Sequence, residues 1–249
     1  MSAAGGAAPD GGGALVYPRV LLKISGEALA GDQKFGISVP VVDRLVDEIK
    51  HVHDMGVALG LVIGGGNIVR GTIASRQGMD RVNADYMGML ATVINALALQ
   101  DHLERRHVDT RVLTAIRMEQ LAEPYIRRRA LRHLDKGRVV IFAGGTGNPC
   151  FSTDSAAVLR GIEMEADLII KATKVDGVFD ADPAKDPDAS FIPEITFIDA
   201  ISRQLGVMDA AALSLCNENR IPLVVLNLDV PRAVAKVVRG ERIGTLVHP

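Results

Sequence analysis

Three glycine-rich turns come directly after apolar segments of strand length, and a basic residue stands beside two of them. The first turn begins at Ser25 and is preceded by Lys23, the second is 64–67 and is followed by Arg70, and the third is 144–148. Glycine lets backbone N–H groups come close to a phosphate, and the N-terminus of a following helix adds favourable charge. One such turn is equally explained by chain geometry. Three of them with two cations favour an extended polyphosphate site.

Elements that position these turns can be predicted from hydrophobic periodicity. Buried strands are predicted at 20–24, 57–63, 108–114, 138–143, 167–171 and 223–227. Helices are predicted at 41–55, 80–106, 123–135, 153–164, 208–219 and 231–239. Apolar strands that alternate with helices predict an α/β fold, a three-layer αβα sandwich with a mostly parallel central sheet. In such a sheet the three glycine turns share one edge, where ligands bind.

Composition narrows the range of partners. The chain has 249 residues, of which 48% are hydrophobic and 23% charged, and its formal net charge is −2. No basic surplus favours a nucleic-acid partner, and the longest apolar runs have the length of strands, so we expect neither nucleic acid nor membrane as a partner. Cys150 and Cys216 are read as reduced thiols of a cytoplasmic protein. We expect a flexible tail at 1–15 and a single domain at 16–249.

Two common nucleotide-binding signatures are absent from the sequence. It contains neither G-x-x-x-x-G-K-[ST], the Walker-type phosphate loop, nor G-x-G-x-x-G, the dinucleotide fingerprint. A phosphate site in this chain therefore has a different layout, and the most common fold of nucleoside-monophosphate kinases is excluded.

Five ordered motifs resemble those of bacterial UMP kinases, which belong to the amino-acid kinase superfamily. The motifs are Lys23-x-Ser25-Gly26-Glu27, 63–71 (IGGGNIVRG), 85–90 (DYMGML), 145–157 (GTGNPCFSTDSAA) and 171–179 (KATKVDGVF). The similarity extends from about Arg19 to the C-terminus. It implies the amino-acid kinase fold and the transfer of the γ-phosphoryl group of ATP to UMP, giving UDP and ADP, in the de novo synthesis of pyrimidine nucleotides.

The resemblance also implies catalytic roles. Lys23 would lie between donor and acceptor phosphates and neutralise charge on the transferred group, and Lys171 would stabilise the departing β–γ bridge. Asp154 would position Lys23 through charge pairing, although a helix N-cap is an alternative for this residue. Asp209 stands where the family has an aspartate of mechanistic interest, and a helix cap is again the alternative. The phosphate of UMP is already an anionic nucleophile near neutral pH, so no catalytic histidine is expected.

Binding residues follow from the same motifs. The residues implied for ATP are Lys23, Ile24, Ser25, Gly26, Gly66, Arg70, Thr173, Phe179 and Asp182. Those implied for UMP are Gly65, Asp85, Thr146, Gly147, Asn148, Pro149, Cys150, Phe151, Ser152 and Thr153. Arg70 would hold a phosphate through two oxygens, Asp85 would accept hydrogen bonds from the ribose, and Phe179 would cover the adenine. The alternatives are a surface arginine, a solvent-facing carboxylate and a core phenylalanine.

Other properties are expected only at the level of the family. Mg²⁺ should accompany ATP, with no protein ligand assigned. GTP should activate and UTP inhibit the enzyme, and the assembly should be a homohexamer. The allosteric segment would comprise Gly31, Asp32, Gln33, Lys34, Phe35 and Gly36. The sequence departs from the family at Cys150, often aromatic, and at Ser152, often threonine, which affects the packing of the pocket.

Two other functions stay open at this point. The first is a kinase of the same fold whose acceptor is a carbamate, acetylglutamate or aspartate. The 146–149 segment (TGNP) beside Asp85 argues against this function, because it favours a nucleotide as the acceptor. The second is a nucleotide sensor without catalysis. Retention of Lys23, Asp154 and Lys171 together disfavours a sensor, because binding alone does not need a charge clamp for transfer.

Overall fold

A nine-stranded sheet forms the centre of the structure, a computed structural model that describes residues 14–33, 35–69, 78–183 and 185–249. The sheet strands are β1 (Arg19–Ile24), β2 (Ala58–Ile63), β3 (Thr110–Thr114), β4 (Glu123–Pro124), β5 (Val139–Ala143), β6 (Leu168–Thr173), β9 (Glu194–Thr196), β10 (Leu223–Asn227) and β11 (Thr245–His248). Their order is β4-β3-β5-β2-β1-β6-β10-β11-β9. From β4 to β10 all neighbours are parallel, and β11 is antiparallel to β10. A separate antiparallel ribbon pairs β7 (Val178–Phe179) with β8 (Phe191–Ile192).

Helices cover both faces of this sheet. In the described part of the chain they are α1 (Gly26–Ala30), α2 (Val39–Asp54), α3 (Arg81–Glu104), α4 (Arg127–Asp135), α5 (Thr153–Glu163), α6 (Phe197–Ser202), α7 (Ala210–Asn219) and α8 (Ala233–Val238). Successive side chains of a strand point to opposite faces, and β1 shows this directly. Leu22 packs in one core with α2, α3 and α8, whereas Leu21 packs in a second core with α4, α5 and α7. The predicted three-layer αβα sandwich with a mostly parallel sheet is confirmed.

Several element boundaries differ from the sequence prediction. The helix predicted at 123–135 starts only at Arg127, because Glu123 and Pro124 form β4 against β3. Proline lacks an N–H and disfavours helical backbone in the residue before it, which explains this break. The short helix α1 follows Ser25 directly, and α1, α6, β9 and β11 were not predicted, since each is too short to show a period.

Helix α3 is the longest helix described and crosses one face of the sheet. It begins after Asp80, whose side chain accepts a hydrogen bond from the Asn83 N–H, and its side toward the core includes Ala84, Thr92, Asn95 and Leu99. Its length and hydropathy are also compatible with a membrane-spanning helix. A helix packed in the core of a protein can have the same length and hydropathy.

A second apolar row on α3 faces away from the core. We call it the outer stripe: Val82, Tyr86, Leu90 and Ile94, which are 42–50% exposed. These residues are spaced four apart, so they lie in one row along the helix.

Candidate active site

Two lysines, one buried and one partly buried, lie side by side at the carboxyl edge of the sheet. Lys23 is near the end of β1 and Lys171 is on β6, and the two are direct partners in the parallel register of these strands. Lys23 is only 7% exposed. Because neighbouring strands are about 4.8 Å apart, two positive charges are forced close together in a poorly hydrated place. Such an arrangement requires a compensating anion.

Asp154 supplies that anion and bridges both lysines. Its Oδ1 is 2.6 Å from Lys23 Nζ, and its Oδ2 accepts a hydrogen bond of 3.0 Å from Lys171 Nζ. Burial acts to raise the pKa of Asp154, but the charges of the two lysines outweigh it and hold this pKa below its ordinary value. The carboxylate is therefore ionised at neutral pH.

Lys171 has a second hydrogen-bond partner and a lowered pKa. Its Nζ also donates to the carbonyl oxygen of Val207 at 2.5 Å. Burial lowers the pKa of Lys171 below that of an ordinary lysine, and the neighbouring charge of Lys23 lowers it further, against the opposing effect of Asp154. One carboxylate shared by two cations leaves the cluster with a net positive charge, which suits an additional anion.

The start of α5 fixes Asp154 in this place. Ser152 is the N-cap of α5, and its Oγ accepts hydrogen bonds from the backbone N–H groups of Asp154 and Ser155. Asp154 is therefore the second helical residue, and its interpretation as the N-cap was wrong. Its side chain is free to point at the lysines because Ser152 does the capping.

Asp209 links the starts of two helices. It caps α7, with its Oδ1 accepting from the Ala212 N–H at 2.8 Å, as the helix-cap alternative predicted. The same carboxylate also accepts hydrogen bonds from the hydroxyls of Ser152 and Ser155. Asp209 thus fastens the beginning of α5, which carries Asp154, to the segment that begins α7.

The first two glycine turns are packed directly on each other. A Cβ atom at Gly26 would lie 2.5 Å from the carbonyl oxygen of Gly64 and 2.6 Å from the N of Gly66, distances that no side chain tolerates. A Cβ at Gly65 would lie 2.6 Å from the carbonyl oxygen of Gly88 on α3. Glycine is required here for close backbone approach, which brings several peptide groups within reach of one ligand.

A cavity of about 130 Å³ lies between the second and third glycine turns and α3, and we call it the α3 cavity. Seven of its lining residues are binding residues that the resemblance implied: Gly65, Gly66, Asp85, Thr146, Asn148, Phe151 and Thr153. Asp85 accepts a hydrogen bond of 2.8 Å from the Cys150 N–H and contacts the Arg81 Nε through both oxygens at 3.0 Å. It points at the third glycine turn rather than into solvent.

The segment from Thr146 to Phe151 forms the outer wall of the α3 cavity. The Thr146 hydroxyl closes a turn with the backbone of Asn148, and Gly147 donates to the carbonyl oxygen of Gly144. Cys150 has φ = 70°, a conformation uncommon for residues with a side chain. Phe151 is 59% exposed. Pro149 stands in the same turn.

A second cavity, of about 400 Å³, lies beside the β7–β8 ribbon, and we call it the β7 cavity. Phe179 and Asp182 line it together with Arg203 and Gln204. The Phe179 ring also packs edge-to-face on Phe191, with 5.6 Å between ring centroids, so it contributes to both a small core and the cavity. Phe179 and Asp182, two of the residues implied for ATP, therefore line the same cavity.

Thr173 is placed differently from Phe179 and Asp182. Its hydroxyl donates to the carbonyl oxygen of Val175 at 2.7 Å and lies 3.2 Å from that of Leu226. It therefore holds the turn after β6, and it is not in the lining of the β7 cavity. Ile24 is the last residue of β1 and Ser25 is the N-cap of α1, so both lie close to Lys23 in the chain.

Two predicted residues, Arg70 and Lys34, lie outside the described residues. The remaining residues of the predicted allosteric segment are Gly31, Asp32, Gln33, Phe35 and Gly36, which connect α1 to α2. Gly36 donates its N–H to the carbonyl oxygen of Asn67 and accepts a hydrogen bond from the Asn67 side chain, both at 2.9 Å. The segment thus contacts the second glycine turn directly.

Three polar residues that anchor the glycine turns were missed in the sequence. Thr92 of α3 accepts a hydrogen bond from the Gly144 N–H at 2.8 Å, and Asn95 donates to the carbonyl oxygen of Gly64 at 2.7 Å. Asn67 and Asn95 also pair with each other through their amides. A signal was available, since Thr92 and Asn95 are polar residues three apart on the otherwise apolar side of a helix.

Metal ligation by the protein is not evident at this edge. Among residues 14–33, 35–69, 78–183 and 185–249, no group of three His, Cys, Asp or Glu side chains could hold an ion. Cys216 is buried, and burial raises its pKa to about 12, whereas Cys150 is exposed. The groups that this edge offers to a phosphate include two ammonium groups and backbone N–H groups, which stabilise phosphates.

Residues 18–227 match the sequence model of the amino acid kinase family. The chain belongs to this family. Its fold is shared with solved members of the family over nearly the whole chain. UMP kinase from Bacillus anthracis superposes with a TM-score of 0.90 at 41% identity, covering 93% of this chain and 96% of the other.

Two further amino acid kinase structures are similar. UMP kinase from Ureaplasma parvum gives a TM-score of 0.86 at 40% identity, with 93% and 98% of the two chains covered. Uridylate kinase from Archaeoglobus fulgidus gives 0.71 at 26% identity, with 92% and 99% covered. The resemblance to bacterial UMP kinases and the amino-acid kinase fold are thus both confirmed.

Proposed function

We propose that this protein is a UMP kinase, which transfers the γ-phosphoryl group of ATP to UMP in the synthesis of pyrimidine nucleotides. The single observation that carries this proposal is the Lys23–Asp154–Lys171 cluster at the sheet edge, with the α3 cavity and the β7 cavity as separate places for two nucleotides. The likeness to two bacterial UMP kinases at about 40% identity supports the choice of acceptor.

The proposed mechanism uses charge and position. UMP occupies the α3 cavity, with Asp85 and the segment 146–153 around the nucleoside and its phosphate. ATP occupies the β7 cavity, with Phe179 and Asp182 at the base and its phosphates directed to the lysines. Lys23 stabilises the transferred group and Lys171 the bridging oxygen that departs with ADP, while Asp154 holds both ammonium groups in place.

No general base is required in this scheme. The acceptor oxygen belongs to a phosphate that is already anionic, so no proton must leave it before it attacks. Mg²⁺ is part of the substrate, entering as MgATP and binding phosphate oxygens and water. The described residues offer no cluster of carboxylates that would hold it in advance.

An acceptor panel tests the proposal. Purified protein with ATP and Mg²⁺ is assayed for ADP release with UMP, CMP, dTMP, acetylglutamate, aspartate and carbamate. We expect turnover with UMP well above that with every other acceptor. Activity on acetylglutamate without activity on UMP would reject the proposal in favour of another acceptor. Tight UTP binding with no labelled UDP from radiolabelled ATP would instead identify a nucleotide sensor.

We propose GTP activation and UTP inhibition as the regulation of this activity. The backbone of Gly36 makes two hydrogen bonds with Asn67 of the second glycine turn. This contact supports a path by which an effector bound at the 31–36 segment influences the active site. An effector that moves the 31–36 segment would act on that turn through these bonds. Initial rates with and without GTP, at several concentrations of UMP, test this; identical rates at every concentration would exclude activation.

We propose that the protein assembles as a homohexamer. The outer stripe supports an interface on α3, because a row of four large apolar side chains at 42–50% exposure gains stability when covered by a second copy. Light scattering after gel filtration measures the mass. We expect that of six chains, and a smaller species for Leu90→Glu; a wild-type monomer would contradict the assembly.

Two further proposals concern the domain organisation of the chain and the location of the enzyme in the cell. We propose that 16–249 acts as one catalytic domain with 1–15 as a flexible tail, and that the enzyme works in the cytoplasm, where its substrates are. A chain lacking 1–15 should retain the activity of the whole chain toward UMP. A loss of activity would assign the tail a role in the site.

A further inference from the structure

The described residues contain a buried pair of amides at the root of the second glycine turn. Asn95 of α3 is 0% exposed, and Asn67, the last residue of the turn, is 3% exposed. Each donates to the other, Asn95 Nδ2 to Asn67 Oδ1 at 2.7 Å and Asn67 Nδ2 to Asn95 Oδ1 at 3.0 Å. An apolar pair would be the ordinary choice at such a position, because buried polar groups are tolerated only when fully hydrogen-bonded.

Two backbone carbonyls fix how this pair is oriented. Asn95 Nδ2 uses its second hydrogen for the carbonyl oxygen of Gly64 at 2.7 Å, and Asn67 Nδ2 uses its own for that of Gly36 at 2.9 Å. A carbonyl can only accept, so each amide must turn its NH₂ toward it. With those two contacts set, the Asn67–Asn95 pairing follows, and both NH₂ groups are fully used.

The hydrogen bond from Asn95 to the Gly64 carbonyl determines the direction of the Gly65 N–H. The Gly64–Gly65 peptide is trans, and in a trans peptide the N–H is directed opposite to the carbonyl. Since the Gly64 carbonyl is drawn toward α3, the Gly65 N–H is turned away from Asn95. Gly65 lines the α3 cavity. Its carbonyl accepts from the N–H groups of Ile68 and Val69 at 3.0 Å, so a helical turn begins at Gly65.

We propose that Asn95 is a positioning residue for phosphoryl transfer, which orients the Gly64–Gly65 peptide so that the Gly65 N–H is presented to a nucleotide phosphate. This inference rests on the proposed function for the identity of the phosphate. Glycine at 64 and 65 offers little resistance to rotation of the peptide between them. The orientation is therefore set by the side chain of Asn95.

The test compares Asn95→Leu with Leu99→Ala. Leucine has the same number and branching of side-chain heavy atoms as asparagine but no donor, so the Gly64 carbonyl loses its partner. Leu99 is buried one turn further along α3, and its apolar side chain donates no hydrogen bond to a glycine turn, so its truncation reports loss of helix packing. For each variant, kcat and the KM for UMP are measured well below its own melting temperature, together with that temperature.

We expect Asn95→Leu to lower kcat about tenfold or more, the scale of a misdirected transition-state donor, and Leu99→Ala to keep the wild-type kcat despite a lower Tm. Wild-type kcat in Asn95→Leu, or an equal loss of kcat in both variants, would overturn the proposal. If Asn95→Leu does not fold, Asn95→Ser, which also cannot reach Gly64, replaces it with the same expectations.

A crystal structure of the Asn95 variant separates this proposal from the proposed function. We expect the Gly64 carbonyl to leave its wild-type direction, whatever the acceptor proves to be. An unchanged Gly64–Gly65 peptide would overturn the positioning role by itself. If the wild-type protein does not phosphorylate UMP, the proposed function is rejected. The direction of the Gly64 carbonyl in the variant then still decides whether Asn95 is a positioning residue.

Discussion

Asp154→Asn removes one charge without changing the shape of the side chain, and its effects can be estimated from the lysine cluster. In the wild-type protein one largely buried carboxylate compensates two largely buried ammonium groups, at 2.6 Å and 3.0 Å. The amide can still accept a hydrogen bond from one lysine but neutralises neither. Breaking a buried ion pair costs about 3–5 kcal/mol, and the remaining hydrogen bond places this variant at the lower end, about 3 kcal/mol.

That free energy translates into a measurable loss of thermal stability. For a domain of this size, 1 kcal/mol corresponds to about 2–4 °C in Tm, so we expect a decrease of about 6–12 °C in the absence of ligand. ATP should restore more of the Tm in the variant than it adds to the wild-type protein, since its phosphates supply the anion that the lysines have lost. Differential scanning calorimetry with and without MgATP measures both quantities.

The same substitution should lower kcat even where the variant is fully folded. Without Asp154 the ammonium groups repel each other and leave their positions, and misplacement of about 1 Å can cost about a hundredfold in rate. Asp43→Asn is the matched control, because Asp43 pairs with Arg106 and His102 on the surface. It should change neither kcat nor the response to ATP. A variant Asp154→Asn with wild-type Tm and wild-type kcat would refute the role given to this carboxylate.

Three further predictions concern individual steps of the proposed reaction. Lys23→Ala should lower kcat by about a hundredfold or more while circular dichroism stays native; unchanged turnover would remove this lysine from the mechanism. Because the pKa of Lys171 is lowered, the free enzyme should lose this proton as pH rises to values still below 10.5, so kcat/KM should fall there. A Lys171→Arg variant should lack that alkaline decrease, and a wild-type profile that is flat up to pH 10.5 would contradict the assignment. Asp85→Ala should raise the KM for UMP about tenfold, the scale of one hydrogen bond to a charged group, with the KM for ATP unchanged in steady-state assays; equal effects on both substrates would argue against a place beside UMP.

The layers of the fold could be predicted from the sequence because the strands are apolar throughout. Val20 to Ile24 is buried on both faces, and such runs alternate with helices that show a clear period. Elements without a period were missed. β4 has two residues and was assigned to a helix, since only its pairing with β3 and the backbone restriction at Pro124 make it a strand.

The site was predicted in part, for a similar reason. Lys23 and Lys171 could be named because each stands in a recognisable motif, but their exact pairing is a property of sheet register. The N-cap of α5 is Ser152 and was not identified, since the sequence offered only Asp154 as an alternative cap, and capping depends on backbone angles that motif spacing does not determine. Asn95 was missed because its importance comes from Gly64, which is distant in sequence and adjacent only in the folded chain.

The central claim is that two lysines flank the phosphoryl group that passes between two nucleotides. A crystal structure with UMP and a non-hydrolysable ATP analogue with Mg²⁺ measures this directly, as the distances from the Nζ atoms of Lys23 and Lys171 to the phosphate oxygens. We predict that both atoms lie within about 3 Å of oxygens on the γ-phosphate or the β–γ bridge. Both ammonium groups still held only by Asp154, with the phosphates bound elsewhere, would contradict the account.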